Sequence, residues 1–160
     1  MIRVQSEDFD PAAELDALIA GRTDVGAVVT FLGLVRDRAG DPADGTRIGA
    51  MTLEHYPGMT EKQLAEIEAE ANRRWPLQAS LIVHRYGRLE PGDRIVLVVT
   101  ASPHRAAAYE ASMFLVDWLK TRAPFWKLED GPEGEHWVEA RDSDDDAAGR
   151  WDERLGKAAE

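Results

Sequence analysis

The chain has 160 residues, carries 19 Lys and Arg against 30 Asp and Glu for a net charge of −11, and contains no cysteine. That length suits one domain with a real core, and the acidic balance argues against nucleic acid as a partner. The lack of cysteine excludes disulfides, thiolate metal sites and a cysteine nucleophile, so any sulfur chemistry needs a donor carried elsewhere.

No apolar run approaches the ~20 residues that cross a bilayer, and the opening MIRVQSEDFD lacks the basic start and apolar core of a secretion signal. A cytoplasmic protein with no membrane partner is expected. Ile2 to Val4 reads as a short strand, and Asp10-Pro11 as the N-cap and first residue of a helix to about Ala20, ended by Gly21. Residues 26 to 35 are apolar and β-branched enough for a buried strand, with Arg36 at its exit. Residues 37 to 47, rich in Gly, Asp, Pro and Arg without periodicity, read as a mobile loop. Ile48 to Tyr56 is the next strand. Pro57-Gly58 then turns the chain into a helix with a capping box at Thr60 and Gln63, an apolar stripe of Leu64, Ile67, Ala71 and Trp75, and a stop at Pro76.

Ala79 to Tyr86 and Arg94 to Ala101 read as an antiparallel pair joined through the turn Glu90-Pro91-Gly92-Asp93. Ser102-Pro103 supplies an N-cap and first-turn proline for a long helix to about Thr121. Phe125 to Glu129 and His136 to Ala140 bracket Gly131-Pro132-Glu133-Gly134 as a hairpin. Past Arg141 the chain turns to Asp, Ala and Gly. Residues 1–141 are therefore expected to form a single domain, and 142–160 an acidic, exposed and partly disordered tail. Strands and helices without regular βαβ alternation predict an α+β fold with mainly antiparallel sheet and two principal helices.

His55, His84, His104 and His136 are scattered without zinc-site spacing, and neither a Walker loop nor a Gly-rich dinucleotide fingerprint is present, so no metal or cofactor is expected. From Pro103 to Lys127 the acidic chain turns locally cationic, with Arg105, Lys120, Arg122 and Lys127 against Glu110 and Asp117. Such an island suits a small anionic ligand, although Lys and Arg at a helix C-terminus also simply oppose the helix dipole.

His104 and Arg105 fall in the first turn of the long helix, where free N–H groups attract anions; exposed side chains with no ligand are the other reading. Sixteen residues separate His104 from Lys120. At ~1.5 Å per residue one helix cannot bring both to one small ligand, so the ligand is elongated or two subunits contribute. Pro124 lets the chain fold back so that Lys127 approaches Lys120, and neighbouring ammonium groups depress each other's pKa. Lys127 as a solvated strand lysine remains the alternative. Arg36 is either an anion ligand or a rim arginine paired with a carboxylate. His55 and His84, within strands, read as satisfied structural histidines, and Phe125, Trp126 and Trp137 as packing residues.

With these residues in view the chain resembles the large, catalytic subunit family of molybdopterin synthase. The resemblance runs from Gly26 to about Trp151, through GAVVTFLGLVR at 26–36, TLEHYPGMTEKQLAEI at 52–67, RWP at 74–76 and VHRYGRLEPGD at 83–93, then SPHR at 102–105, LKTRAPFWK at 119–127 and WVEAR at 137–141. It implies an α/β-hammerhead-type fold and a homodimer of this chain within a heterotetramer, with a small ubiquitin-like sulfur-carrier subunit at each end. It further implies transfer of two sulfurs from the carrier's C-terminal Gly-Gly thiocarboxylate to cyclic pyranopterin monophosphate, forming the dithiolene of molybdopterin.

The family's catalytic lysines fall on Lys120 and Lys127. Its substrate-binding positions fall on Phe31, Leu34, Val35, Arg36, His104, Arg105, Leu128, Glu129 and Arg141. Leu34 stands where some relatives have lysine, Leu128 where a second basic residue is common, and Pro103 where alanine is usual. A non-catalytic binder of a partner's tail and a lysine-dependent lyase acting without a carrier are the competing classes. The first would bind the carrier and make no product, whereas the second would turn over alone.

Overall fold

The computed structural model describes residues 1–39, 45–132, 134–138 and 148–151. Within them the elements run β1 (Ile2–Gln5), α1 (Pro11–Ile19), β2 (Ala27–Leu34), β3 (Ala50–His55), α2 (Met59–Arg74), β4 (Ala79–Arg85), β5 (Gly87–Leu89), β6 (Arg94–Ser102), α3 (Arg105–Arg122), β7 (Phe125–Gly131) and β8 (Gly134–Val138).

The strands form two four-stranded sheets, β1-β4-β6-β2 and β5-β3-β7-β8. Only β1 with β4 is parallel among their pairings; β4 with β6, β6 with β2 and every pair of the second sheet are antiparallel. The α+β, mainly antiparallel reading of the sequence is therefore correct. In the first sheet Ile82 and Val98 pack with Leu64 and Ile67 of α2 and Phe114 and Leu115 of α3. On the opposite face Leu81, Val83, Leu97 and Val99 pack with Phe9, Leu15 and Leu18. Burial on both faces is why β4 and β6 read as continuous apolar runs rather than alternating ones.

Helix starts are set by local chemistry. At α1, Asp10 accepts from the backbone N–H of Ala12 at 2.9 Å and Pro11 opens the first turn, as expected. At α2 the expected cap at Thr60 is corrected. The N-cap is Gly58, at φ +82°, and Glu61 three residues on accepts from the Gly58 N–H at 2.6 Å. Glycine alone adopts that backbone without a steric cost, so the chain turns two residues earlier. Thr60 is buried instead, with its hydroxyl accepting from Tyr56 N–H and donating to the carbonyl of Pro124.

α3 is corrected in the other direction. Ser102 is still in β6, its hydroxyl donating to Pro76 O at 3.1 Å, and His104 is the N-cap. Pairing of Ser102 with Ala27 prolongs β6 and delays the helix.

The short strand β5 was not expected. Gly87, at φ +89°, swings the chain from the first sheet into the second, where Leu53 pairs with Gly87 and Met51 with Leu89. Glu90 to Asp93 is the predicted turn, closed by Asp93 N–H to Glu90 O at 2.9 Å with Gly92 at φ +95°.

Residues 40–44 of the expected mobile loop lie outside the described residues, and its described ends are paired through Arg38 and Arg47. The acidic run at 142–146 lies outside them too. Within the expected exposed tail, however, 148–151 is a helical turn with Ala148 and Trp151 buried in the core. Trp151 stands edge-on to Trp75 and Phe114, each at 5.7 Å, and its indole N–H donates to Asp117 at 2.7 Å.

Candidate functional site

A cavity of about 420 Å³ opens where the two sheets meet beneath the C-terminal end of α3. Phe31 and Leu34 of β2, Leu53 of β3, Lys120 of α3, and Phe125 and Lys127 of β7 contribute to its wall. Strand alternation explains the β7 contribution. Phe125, Lys127 and Glu129 share one face of the strand, while Trp126 on the other face is exposed. Pro124 breaks the chain between helix and strand, so the two lysines reach one cavity by a short route.

The Lys127 ammonium is not simply solvated. It lies 2.6 Å from Oε1 of Glu129, a carboxylate that is nearly fully buried and whose other oxygen is 3.7 Å from His136 Nε2. An ion pair so positioned is charge-assisted on a wall that is mostly apolar, and it fixes the ammonium in place. Arg122, the other cation of that run, stacks its guanidinium 3.8 Å over the Trp118 ring.

A second cavity of about 470 Å³ lies at the exit of β2, lined by Val35, Arg36, Asp37, Arg38, Pro91 and Gly92. The consecutive residues Leu34, Val35 and Arg36 thus join the two spaces: Leu34 lines the first, and Val35 and Arg36 the second. The backbone there is held by Val35 N–H to Asp93 O at 2.9 Å and Gly92 N–H to Val35 O at 2.8 Å. The β-bulge between Gly33 and Leu34 turns the strand at that junction.

His104, Arg105 and Leu128, all expected site residues, line neither cavity. His104 and Arg105 are exposed at the N-terminal end of α3, and Lys120 lies ~22 Å further along the helix axis. Leu128 lies on the opposite face of β7 from Lys127. Arg141 lies outside the described residues.

The sequence reads His84 as a satisfied structural histidine and Phe125 as a packing residue, yet both line the first cavity. His84 is buried, with Nδ1 2.9 Å from Arg85 O and its ring stacked on Phe125. Burial, the larger cause, and the nearby His55 hold its pKa down at about 4, against a weaker upward pull from the Arg85 carbonyl. The signal that could have found it is its neighbourhood, a polar residue in the run Ser80 to Arg85 that is otherwise apolar at the centre.

No helix among the described residues is long and apolar enough to cross a membrane. Residues 4–122 match the family model described as MoaE protein. The chain is 59% identical to the molybdopterin synthase catalytic subunit of Pseudomonas aeruginosa over 95% of this chain and 99% of that one. It shares 52% identity and a TM-score of 0.79 with the solved molybdopterin biosynthesis MoaE protein of Burkholderia ambifaria, over 94% and 97% of the two chains. A Helicobacter pylori chain, from a structure described as a complex of subunits 1 and 2 of molybdopterin-converting factor, shares the fold at TM-score 0.70 and 20% identity, over 88% of this chain and 91% of that one.

Proposed function

The chain belongs to the MoaE family and is a molybdopterin synthase catalytic subunit, an enzyme of molybdenum cofactor biosynthesis, and we propose that its first cavity is where sulfur is transferred. A catalytic subunit works with another. The partner here is a small ubiquitin-like sulfur carrier, whose slender C-terminal Gly-Gly thiocarboxylate enters the cavity past Phe31 and Leu34. Cyclic pyranopterin monophosphate receives the sulfur. Two such transfers make the dithiolene. In each, a carbon–sulfur bond on the pterin side chain replaces a carbon–oxygen bond, the displaced oxygen leaves protonated, and water supplies the oxygen that turns the carrier's thiocarboxylate into a carboxylate.

The single observation that carries this reading is the convergence of Lys120 and Lys127 on one largely apolar cavity. Lys127, held by Glu129, donates to the thiocarboxylate carbonyl or the substrate oxygen and stabilises the negative charge that develops there. Lys120 acts as general acid or base, or as a transient covalent partner, at the pterin side chain. The cavity behind Arg36 takes the anionic part of the pterin. Because one α3 cannot bring His104 and Arg105 to its own Lys120, a second copy of the chain supplies that pair, and Arg141 completes the anion contacts. This makes the working unit a homodimer of this chain with a carrier at each end.

The test is reconstitution with thiocarboxylated small subunit and cyclic pyranopterin monophosphate, reading dithiolene as an oxidised fluorescent pterin. Product that needs both proteins is expected. Lys120→Ala and Lys127→Ala are each expected to lose about 10²-fold or more in turnover while still binding the carrier. Full turnover by both variants would remove the catalytic roles, and carrier binding without product in the wild type would favour a tail-binding module.

A further inference from the structure

Among the described residues lining the first cavity, three side chains carry nitrogen or oxygen: His84, Lys120 and Lys127. The two ammonium groups only donate hydrogen bonds. The carrier tail and the pterin each present N–H groups as well as acceptors, so a wall with donors alone matches half of their chemistry.

His84 supplies the other half. Its Nδ1 lies 2.9 Å from the carbonyl oxygen of Arg85. A carbonyl can only accept, so Nδ1 carries the proton and Nε2 is left as a lone-pair acceptor. Stacking on Phe125, with centroids 3.7 Å apart and planes 16° from parallel, fixes the ring from a second direction. Among the described residues Nδ1 is the ring nitrogen that is hydrogen-bonded, and Nε2 is not one of the buried side-chain atoms left without a partner, so its lone pair is open to a ligand or water. The groups that surround the ring reinforce its neutral state. Burial, the largest influence, and His55 both oppose a second proton on it and together outweigh the Arg85 carbonyl, which favours one.

We propose that Nε2 of His84 is the cavity's side-chain acceptor for an N–H group of the bound ligand, which makes His84 a further binding residue of the sulfur-transfer site. The proposal rests on the reading of this cavity given above. The N–H comes either from a backbone amide of the Gly-Gly tail or from the pterin ring.

Two variants separate the roles of the ring. His84→Phe keeps the stack on Phe125 and removes the acceptor, whereas His84→Gln places an amide oxygen near the position of Nε2. In His84→Phe, either the Kd for the small subunit or the KM for the pterin substrate at saturating carrier rises about tenfold, with kcat changing far less. His84→Gln recovers part of that loss. If the tail is the donor, the Kd effect disappears with a small subunit lacking its last two residues. If the pterin is the donor, KM rises while Kd stays as in the wild type.

Kd and KM both within twofold of wild type in His84→Phe would overturn the proposal. Should the variants fail to fold in a thermal melt, wild-type protein labelled with [15N]histidine gives the answer. The Nε2 resonance of His84 moves upfield when the small subunit or the pterin is added, and a resonance that stays put with both overturns the proposal. A wild type that neither binds the small subunit nor forms product would instead strike at the reading of the cavity itself, whatever His84 does.

Discussion

Lys127 Nζ and Glu129 Oε1 lie 2.6 Å apart, two residues along one face of β7, with the Glu129 side chain 4% exposed and that of Lys127 31% exposed. The pair has a definite polarity: a buried carboxylate behind and a partly open ammonium towards the cavity. Glu129 thereby sets where the charge of Lys127 is presented.

Glu129→Gln is therefore expected to lower kcat about ten- to hundredfold while leaving carrier affinity nearly unchanged. Stability falls by about 1–3 kcal/mol, less than for a fully buried pair because water reaches Lys127. Steady-state kinetics and urea unfolding read both effects, and unaltered turnover would show that Lys127 needs no such holder.

His84 predicts a pH dependence of stability. Its pKa falls from 6.5 in the unfolded chain to about 4 in the folded protein. Between those values the unfolded chain binds more protons, so stability rises with pH. It is complete above about 6.5 and is lost progressively as pH falls towards 4, by on the order of 3 kcal/mol. Urea unfolding from pH 4 to 7.5 should give a flatter profile in His84→Phe; identical slopes for the two proteins would contradict a buried neutral imidazole.

Gly26 governs the placing of His104 and Arg105. Its N–H donates to Ser102 O at 3.1 Å, and a Cβ added there would lie 2.2 Å from the carbonyl oxygen of Pro103. Backbone, not a flexible side chain, would have to move. Gly26→Ala should cost about 1–3 kcal/mol by overpacking and raise the KM for the anionic substrate more than the Kd for the carrier. A KM as in the wild type would separate the start of α3 from substrate binding.

Trp151 is buried against Trp75 and Phe114, with its backbone carbonyl accepting from Arg74 at 3.1 Å. Trp151→Ala should cost about 3–5 kcal/mol in urea unfolding. A loss below about 1 kcal/mol would mean that the turn at 148–151 docks only weakly.

The strands β4 and β6, the helix α1 and the β7–β8 hairpin were legible because burial pattern, capping residue and turn chemistry agree locally. The start of α3 was not, since Ser102-Pro103 has the local signature of a helix start while pairing of Ser102 with Ala27 keeps it in the sheet. Thr60 misled in a related way: its hydroxyl is used across the fold, on Pro124, rather than at the helix end. Trp151 shows the limit for composition. A tail rich in Asp and Ala reads as solvated, yet one indole finds a site between α2 and α3.

By itself the sequence determined the α+β class, the family, and the pair of lysines separated by a proline, because these depend on residue types and spacing along the chain. Tertiary structure alone decided that Lys127 is paired with Glu129, that His84 faces the lysine cavity, and that His104 lies at the far end of α3 from Lys120. The physical reason is that each of these facts is a meeting, or a separation, between elements of different sheets and helices. Local propensity says which way a strand alternates, but only packing says what stands opposite it.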